Sequence, residues 1–452
     1  MTRVLVLGLA RTGEETTAVL RREGVEVTVV EESPIGPEYR ARADAARSTG
    51  VTVLEGAPDS GWDQLVGDFT LVVPSPGVRP DHPALVAARS LRVPVRSEIE
   101  LAGERISVPI VAVTGTNGKT TVTALIAAML QASRRRAVAA GNIGTPLIHY
   151  AGNDSDLDVV VAEVSSFQLE FTAHFHPRVA VLLAVAEDHL DWHGSFRAYT
   201  EAKARIFASQ RPDDVLVYDA DDAVASSLAA RANARVLAVS LDPDRTGAAR
   251  VVDGRLLDTD GELLADVAAL PRGQPHDLSN SLAAACAALE VGATRAGVRD
   301  ALSSFRTLPH RVALVGEARG VKYYDDSKAT NPHATLHAIS GFESVVLLAG
   351  GRNKDLDLGV LAAEVDRVRA VVAFGEAAPE VEKVFAGMRP VVRADSMREV
   401  VRAAAEQARP GDVVLLSPAC ASWDWYDGGY EARGDDFTAE VGLLVAEAEA
   451  AR

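Results

Sequence analysis

Cysteine is nearly missing from this 452-residue chain, which carries only Cys286 and Cys420. That excludes a disulfide framework and makes a reducing interior the natural setting. Positive charge is also short: 46 Lys and Arg face 63 Asp and Glu, a formal net charge of −17. Nucleic-acid affinity comes largely from Lys and Arg on phosphates, so no nucleic-acid partner is expected. No apolar run approaches the ~20 residues of a membrane span, so no membrane insertion is expected. The opening MTRVLVLGLARTG runs into a Gly-punctuated segment without a small-residue cleavage site. It reads as a first strand and not as a signal peptide, and a cytoplasmic protein is expected. What remains is ordinary for a globular chain, with 48% hydrophobic and 24% charged residues. At roughly 100–200 residues per domain, the length suggests about three domains.

Short apolar runs alternate with amphipathic stretches along the whole chain, the pattern of βαβ units and parallel sheets. Val4–Leu7, Val25–Val30 and Leu71–Val73 read as strands, with a helix over Glu14–Arg22. The runs stop around Val93–Glu98, and a stronger one, Pro109–Val113, opens a second unit with strands at Val159–Ala162 and Val179–Val185. From Val215 to Leu270 the texture changes. Asp253-Gly254 and Asp260-Gly261 sit between short apolar runs, a hairpin signal that predicts a small antiparallel extension. The Ala-rich stretch 223–238 reads as composition bias, and a helix is expected over Asn280–Leu289. A third unit carries strands at Val345–Ala349, Val371–Phe374 and Val413–Leu416. The expected architecture is α/β in three domains, 1–96, 97–306 and 307–452: a Rossmann-like domain, a central P-loop ATPase-like parallel sheet with the antiparallel extension, and a second Rossmann-like domain.

The sharpest motif is Val113-Thr114-Gly115-Thr116-Asn117-Gly118-Lys119-Thr120-Thr121, between a buried strand and a helix with apolar residues at Val122, Leu125, Ile126, Met129 and Leu130. A phosphate-binding loop needs this context. Glycines let backbone N–H groups close on phosphate oxygens, the helix N-terminus adds its dipole, Lys119 reaches the terminal phosphates, and Thr120 can ligate Mg²⁺. Gly115 precedes Gly118 by three residues, where the common loop has five. Glu163 ends a strand, where α/β enzymes build their sites. Glu187-Asp188-His189-Leu190-Asp191 follows the next strand, and Lys203 comes 14 residues after His189 on an expected helix Tyr199–Ser209. Taken singly, Glu163 also reads as a helix-cap charge, His189 as a loop histidine and Lys203 as half of a salt bridge. His189-Leu190-Asp191-Trp192-His193 also reads as a zinc fragment.

The short loop resembles that of the muramyl (Mur) ligases and the folylpolyglutamate synthases, ATP-dependent enzymes that form amide bonds. Four further segments carry the resemblance toward the Mur ligases: Ser165-Ser166-Phe167-Gln168-Leu169-Glu170, Asp326-Ser327-Lys328-Ala329-Thr330-Asn331, Gly350-Gly351-Arg352-Asn353-Lys354 and Ser417-Pro418-Ala419-Cys420-Ala421-Ser422. Together they resemble the family member that adds D-glutamate to UDP-N-acetylmuramoyl-L-alanine in cell-wall peptidoglycan synthesis.

The resemblance implies a set of site residues. Gly115, Thr116, Asn117, Gly118, Lys119, Thr120, Thr121, Asn280, Arg311 and Asp326 would bind ATP. Thr120, Glu163, His189 and Lys203 would surround two Mg²⁺ ions, with Lys203 carrying a carbamate, and Lys119, Glu163, His189 and Lys203 would be the catalytic set. Arg11, Thr12, Glu31, Gly77, Asn142, Ser165, Gln168 and His189 would bind the UDP-linked substrate. Lys328, Thr330, Lys354, Ser422 and Tyr430 would bind D-glutamate, with domain closure completing the site. A monomer is expected. Gly8-Leu9-Ala10-Arg11-Thr12-Gly13 lacks the middle glycine of the dinucleotide fingerprint, which tells against NAD. Cys420 reads as structural, since no base is recognisably paired with it. The chain departs from the family at Ala184, Ala186 and Asp277, and Trp423–Tyr430 is about one residue longer than the resemblance predicts. Two rivals stay open: a folylpolyglutamate synthase-like ligase, for which the first 96 residues have no role, and a non-catalytic nucleotide-sugar or ATP sensor.

Overall fold

Strands Arg3–Leu7 and Ile110–Thr114 are apolar on both faces and almost wholly buried, as parallel strands covered by helices must be. In the computed structural model, which describes residues 2–34, 37–59, 61–271, 273–305 and 309–450, they anchor two of three sheets. The first sheet is four parallel strands in the order Thr52–Glu55, Glu26–Glu31, Arg3–Leu7, Leu71–Pro74. The second has nine strands, with Ile110–Thr114 between Val159–Glu163 and Val179–Leu182. The third has six, with Val413–Ala419 beside Val345–Gly350 and the antiparallel pair Ala313–Ala318 and Val321–Asp325 at one edge. The chain falls into two compact units: 1–185 with 192–305, which holds the first two sheets, and 186–191 with 306–452, which holds the third. The proposed boundary at 306/307 and Leu308 lie outside the described residues.

Two differences from the sequence reading have physical causes. The antiparallel extension is confined to Ala249–Val252, Arg255–Leu257 and Leu263–Asp266, whereas Val215–Asp219 and Arg235–Ser240 pair in parallel and continue the central sheet. The hairpin turn at Asp253-Gly254 has φ of +49° and +71°, the doubly positive pair that a tight primed turn requires. The Ala-rich stretch is ordered structure, a helix over Ala223–Ala229 and then a strand. The Asp222 carboxylate caps that helix by accepting from the Ala225 N–H at 2.7 Å, and alanine pays little side-chain entropy in a helix. The strand Ala137–Gly141 and the C-terminal helix Gly429–Ala450 were not expected from the sequence.

Candidate active site

The loop after Ile110–Thr114 is shaped by contacts that only glycine permits. A Cβ on Gly115 would lie 2.6 Å from the Leu183 Cβ, and one on Gly118 would lie 2.5 Å from Asn280 Oδ1. The second contact also shows that the helix Pro275–Glu290 delivers Asn280 to the loop. The helix Lys119–Ala132 begins at once, so its N-terminus and the positive end of its dipole meet the loop. Lys119 Nζ curls back to donate to the carbonyls of Gly115 at 2.9 Å and Thr116 at 2.8 Å. The loop therefore presents a cation and backbone donors from one contiguous segment.

Two further groups of the first unit converge on this segment. Lys203 is almost fully buried, stands over the Tyr199 ring at 4.5 Å, and donates to the Gly115 carbonyl at 2.7 Å. Tyr199 in turn shares a 2.9 Å hydrogen bond with Thr116 Oγ1. The helix that carries both runs over Phe196–Ala204, three residues earlier than its expected start, because Ser195 caps it by accepting from the Ala198 N–H. Glu163 pairs in register with Val113 one strand over and is buried. Its Oε1 accepts from Asn142 Nδ2 at 2.8 Å, while the buried Oε2 has no hydrogen-bond partner among the described residues. Burying a carboxylate oxygen without a partner is costly, and a bound cation is the usual resolution. Asn142, expected at a substrate, thus orients Glu163.

Ser165 and Gln168 form a reciprocal capping box. The Ser165 N–H donates to Gln168 Oε1 at 3.0 Å, and Ser165 Oγ accepts from the Gln168 N–H at 3.2 Å. Their helix is braced by His193, whose Nε2 shares a 3.0 Å hydrogen bond with Ser166 Oγ and whose ring stacks on Phe167. At the first sheet, Gly13 of the helix Arg11–Arg22 packs so tightly on the turn before it that a Cβ would lie 2.0 Å from the Gly8 carbonyl oxygen. Glu31 accepts from the Leu9 N–H at 2.8 Å and the Ser33 N–H at 3.1 Å, which fixes the turn. Arg11 is exposed on the helix that follows, with Thr12 beside it, and Gly77 lies in the loop after Leu71–Pro74.

His189 belongs to the second unit, with the segment 186–191, whereas Thr120, Glu163 and Lys203 belong to the first. That segment supplies a group the sequence reading passed over. Asp188 is buried, with Oδ1 2.5 Å from Lys354 Nζ and Oδ2 accepting from Asn331 Nδ2 at 3.0 Å. Lys328 stands 5.0 Å over the Tyr430 ring, so those two D-glutamate candidates are neighbours. Ser417 Oγ donates to Asp326 Oδ2 at 2.8 Å, and burial pushes the Asp326 carboxyl up to about 7, opposed in part by that bond and by Arg311. Beneath them Arg433 is fully buried, donating to Ser327 Oγ at 2.9 Å, the Ser327 carbonyl at 2.8 Å and the Cys420 carbonyl at 3.2 Å. Burial lowers its guanidinium to about 10, still cationic at neutral pH, and pushes the Cys420 thiol up to about 12. Cys420 is therefore a packing residue.

Comparison with known proteins gives a consistent picture. The Mur ligase middle domain matches residues 113–288, and the Mur ligase glutamate ligase domain matches residues 310–420. The UDP-N-acetylmuramoylalanine--D-glutamate ligase of Syntrophus aciditrophicus is 39% identical over 444 residues, covering 97% of each chain. That of Frankia casuarinae is 42% identical over 97% of this chain and 93% of its own. Among solved structures, the MurF ligase of Thermotoga maritima in complex with ADP superposes with a TM-score of 0.61 at 19% identity, covering 98% of each chain. A pseudomurein peptide ligase type C from Methanothermus fervidus gives 0.61 at 17% identity, over 98% of this chain and all of that one.

Proposed function

The chain belongs to the Mur ligase family, with the UDP-N-acetylmuramoylalanine--D-glutamate ligases, and from this we propose that it joins D-glutamate to UDP-N-acetylmuramoyl-L-alanine at the expense of ATP. The observation that carries the reading is the joint presence of a phosphate loop with Glu163 and Lys203 beside it in the first unit and, in the second, of Lys328 against Tyr430 and Lys354 against Asp188. The alanyl carboxylate attacks the γ-phosphorus of ATP, ADP leaves, and an acyl phosphate results. The D-glutamate amine then attacks the acyl carbon, and inorganic phosphate departs from the tetrahedral intermediate. An anion must attack a polyanion, so the chain's main task is charge neutralisation and positioning. Lys119 and the loop N–H groups serve the transferring phosphoryl group. Lys328 and Lys354 suit an amino acid with two carboxylates. The D-glutamate ammonium must lose a proton before its amine attacks, and a nearby carboxylate such as Asp188, beside Lys354, or a phosphate oxygen would take it.

The donor set fits Mg²⁺. Glu163 Oε2, buried and without a hydrogen-bond partner among the described residues, and Thr120 at the helix start would hold it with phosphate oxygens. The bound ion would supply further neutralisation of phosphate charge. Lys203 is read as the site of a carbamate, which would convert its ammonium into an anion. CO₂ depletion should then lower turnover, and acetate should partly restore Lys203→Ala; absence of both effects leaves Lys203 an ordinary amine. The reading as a whole is tested by phosphate release, which should require ATP, UDP-N-acetylmuramoyl-L-alanine and D-glutamate together. Equal turnover with L-glutamate, or with a folate in place of the nucleotide sugar, would overturn it.

A further inference from the structure

Two carboxylates of the helix Glu98–Gly103 are buried, and they are used differently. Glu100 accepts three backbone N–H groups, from Ala173, His174 and Phe175, at 3.1, 2.8 and 2.8 Å. It ties a loop down and touches no expected site residue. Glu98 reaches the other way. Its Oε1 accepts from the Ile148 N–H at 2.6 Å, in the turn Leu147–Tyr150 that follows the loop Gly141–Gly144. Its Oε2 accepts from Gln168 Nε2 at 3.4 Å. The amide of Gln168 has no freedom to turn over, because its oxygen already accepts from both the N–H and the hydroxyl of Ser165, at 3.0 and 3.1 Å. Its NH₂ end must therefore meet an acceptor, and the Glu98 carboxylate is that acceptor.

We infer that Glu98 is a positioning residue for the nucleotide-sugar substrate: it fixes the Gln168 amide, and through it Ser165, in the orientation that receives the substrate. The inference rests on the reading of Ser165 and Gln168 as substrate contacts. Burial pushes the Glu98 carboxyl up to about 7, opposed by the Ile148 and Gln168 donors. A carboxylate buried for packing alone would need only backbone donors, as Glu100 does; Glu98 spends one oxygen on a side chain of the site. Glu98→Gln keeps size and an acceptor for Ile148 but turns an NH₂ against the NH₂ of Gln168.

The test is a double-mutant cycle of Glu98→Gln with Gln168→Ala, read by steady-state kinetics and melting temperature. Glu98→Gln should raise KM for UDP-N-acetylmuramoyl-L-alanine about tenfold, the scale of one mismatched buried polar contact, with kcat and KM for ATP within about twofold. In the Gln168→Ala background the same change should add less than about twofold, because the group through which Glu98 acts is gone. An unchanged nucleotide-sugar KM in Glu98→Gln, or effects that simply multiply, would overturn the inference. So would a parallel rise in all KM values with a lowered melting temperature, the mark of a structural role. If Glu98→Gln does not fold, Glu98→Asp, which withdraws the carboxylate by one methylene, runs the same cycle. Wild-type turnover of UDP-N-acetylmuramoyl-L-alanine with D-glutamate preserves the underlying reading whatever the cycle gives; a wild type inert to that pair overturns both.

Discussion

The glycine-rich loop of the first unit and the buried polar cluster of the second are built in opposite ways. The loop is one contiguous segment whose donors are backbone N–H groups and one lysine, and its shape depends on Gly115 and Gly118 being unable to carry a Cβ. The cluster is gathered from separate stretches around Asp188, Asp326, Lys354 and Arg433, each locked by a buried polar contact to a distant residue. A backbone site is set once its strand and helix form. A side-chain site needs a network in which each buried charge is met, because an unmet one is expensive. The loop should therefore fail by losing chemistry, and the cluster by losing stability or substrate affinity.

The largest effect should come from the loop. Lys119→Ala removes the only side-chain cation of the segment 113–121 while leaving its glycines intact. Turnover should fall by about 10²–10³, as when one transition-state charge donor is lost, with the melting temperature nearly unchanged. A large drop in melting temperature would erase the contrast between the two constructions.

Arg433→Met tests the other side. It strips donors from Ser327 Oγ and from the Ser327 and Cys420 carbonyls, all in the buried floor of the cluster. Three orphaned buried acceptors at about 1–3 kcal/mol each predict a loss of at least about 3 kcal/mol in denaturant unfolding. A stable variant with low turnover would mean that Arg433 works in the chemistry and not under it. Lys354→Ala should fall between these cases. Losing one charge-assisted contact should raise KM for D-glutamate about 10–100-fold, with KM for ATP unmoved. Because Asp188 then loses its ammonium partner, Asp188→Asn in the same background should restore part of any lost stability.

The same contrast explains what could be read from sequence. The loop, its flanking strand and helix, and Glu163 at a strand end are local patterns, and hydrophobic periodicity placed them correctly. Asn280 lies far along the chain from Gly118; only the resemblance singled it out, and the fold sets it beside Gly118. Asp188, Glu98 and Arg433 were missed because their roles depend on partners 166, 70 and 106 residues away. Asp188 in particular sat inside a quoted motif and carried no local mark of its pairing. The helix Ala223–Ala229 was missed for another reason: it is only seven residues long, too short to show a clear 3.6-residue period around its buried Ala225, Leu228 and Ala229, and the Asp222 cap marks its start.

The smallest effect is a slope. Asp326 titrates near 7 because burial disfavours its charged form more than Ser417, Arg311 and the Val312 N–H favour it. A carboxyl held above its unfolded value of ~3.9 keeps its proton in the folded state after the unfolded chain has lost it. Its contribution to stability is thus fully present below about pH 4 and is lost as pH rises toward 7, at no more than about 1.4 kcal/mol per pH unit. Asp326→Asn cannot titrate, so its stability curve between pH 4 and 7 should be flatter than the wild type's by up to that slope. The phosphate loop carries no carboxyl between residues 113 and 121. Lys119→Ala should therefore keep the wild-type slope, and chemical denaturation across this pH range would separate a site built from buried charge from one built from backbone. If both variants kept the wild-type slope, Asp326 would be ionised throughout, and its bond to Ser417 would outweigh its burial.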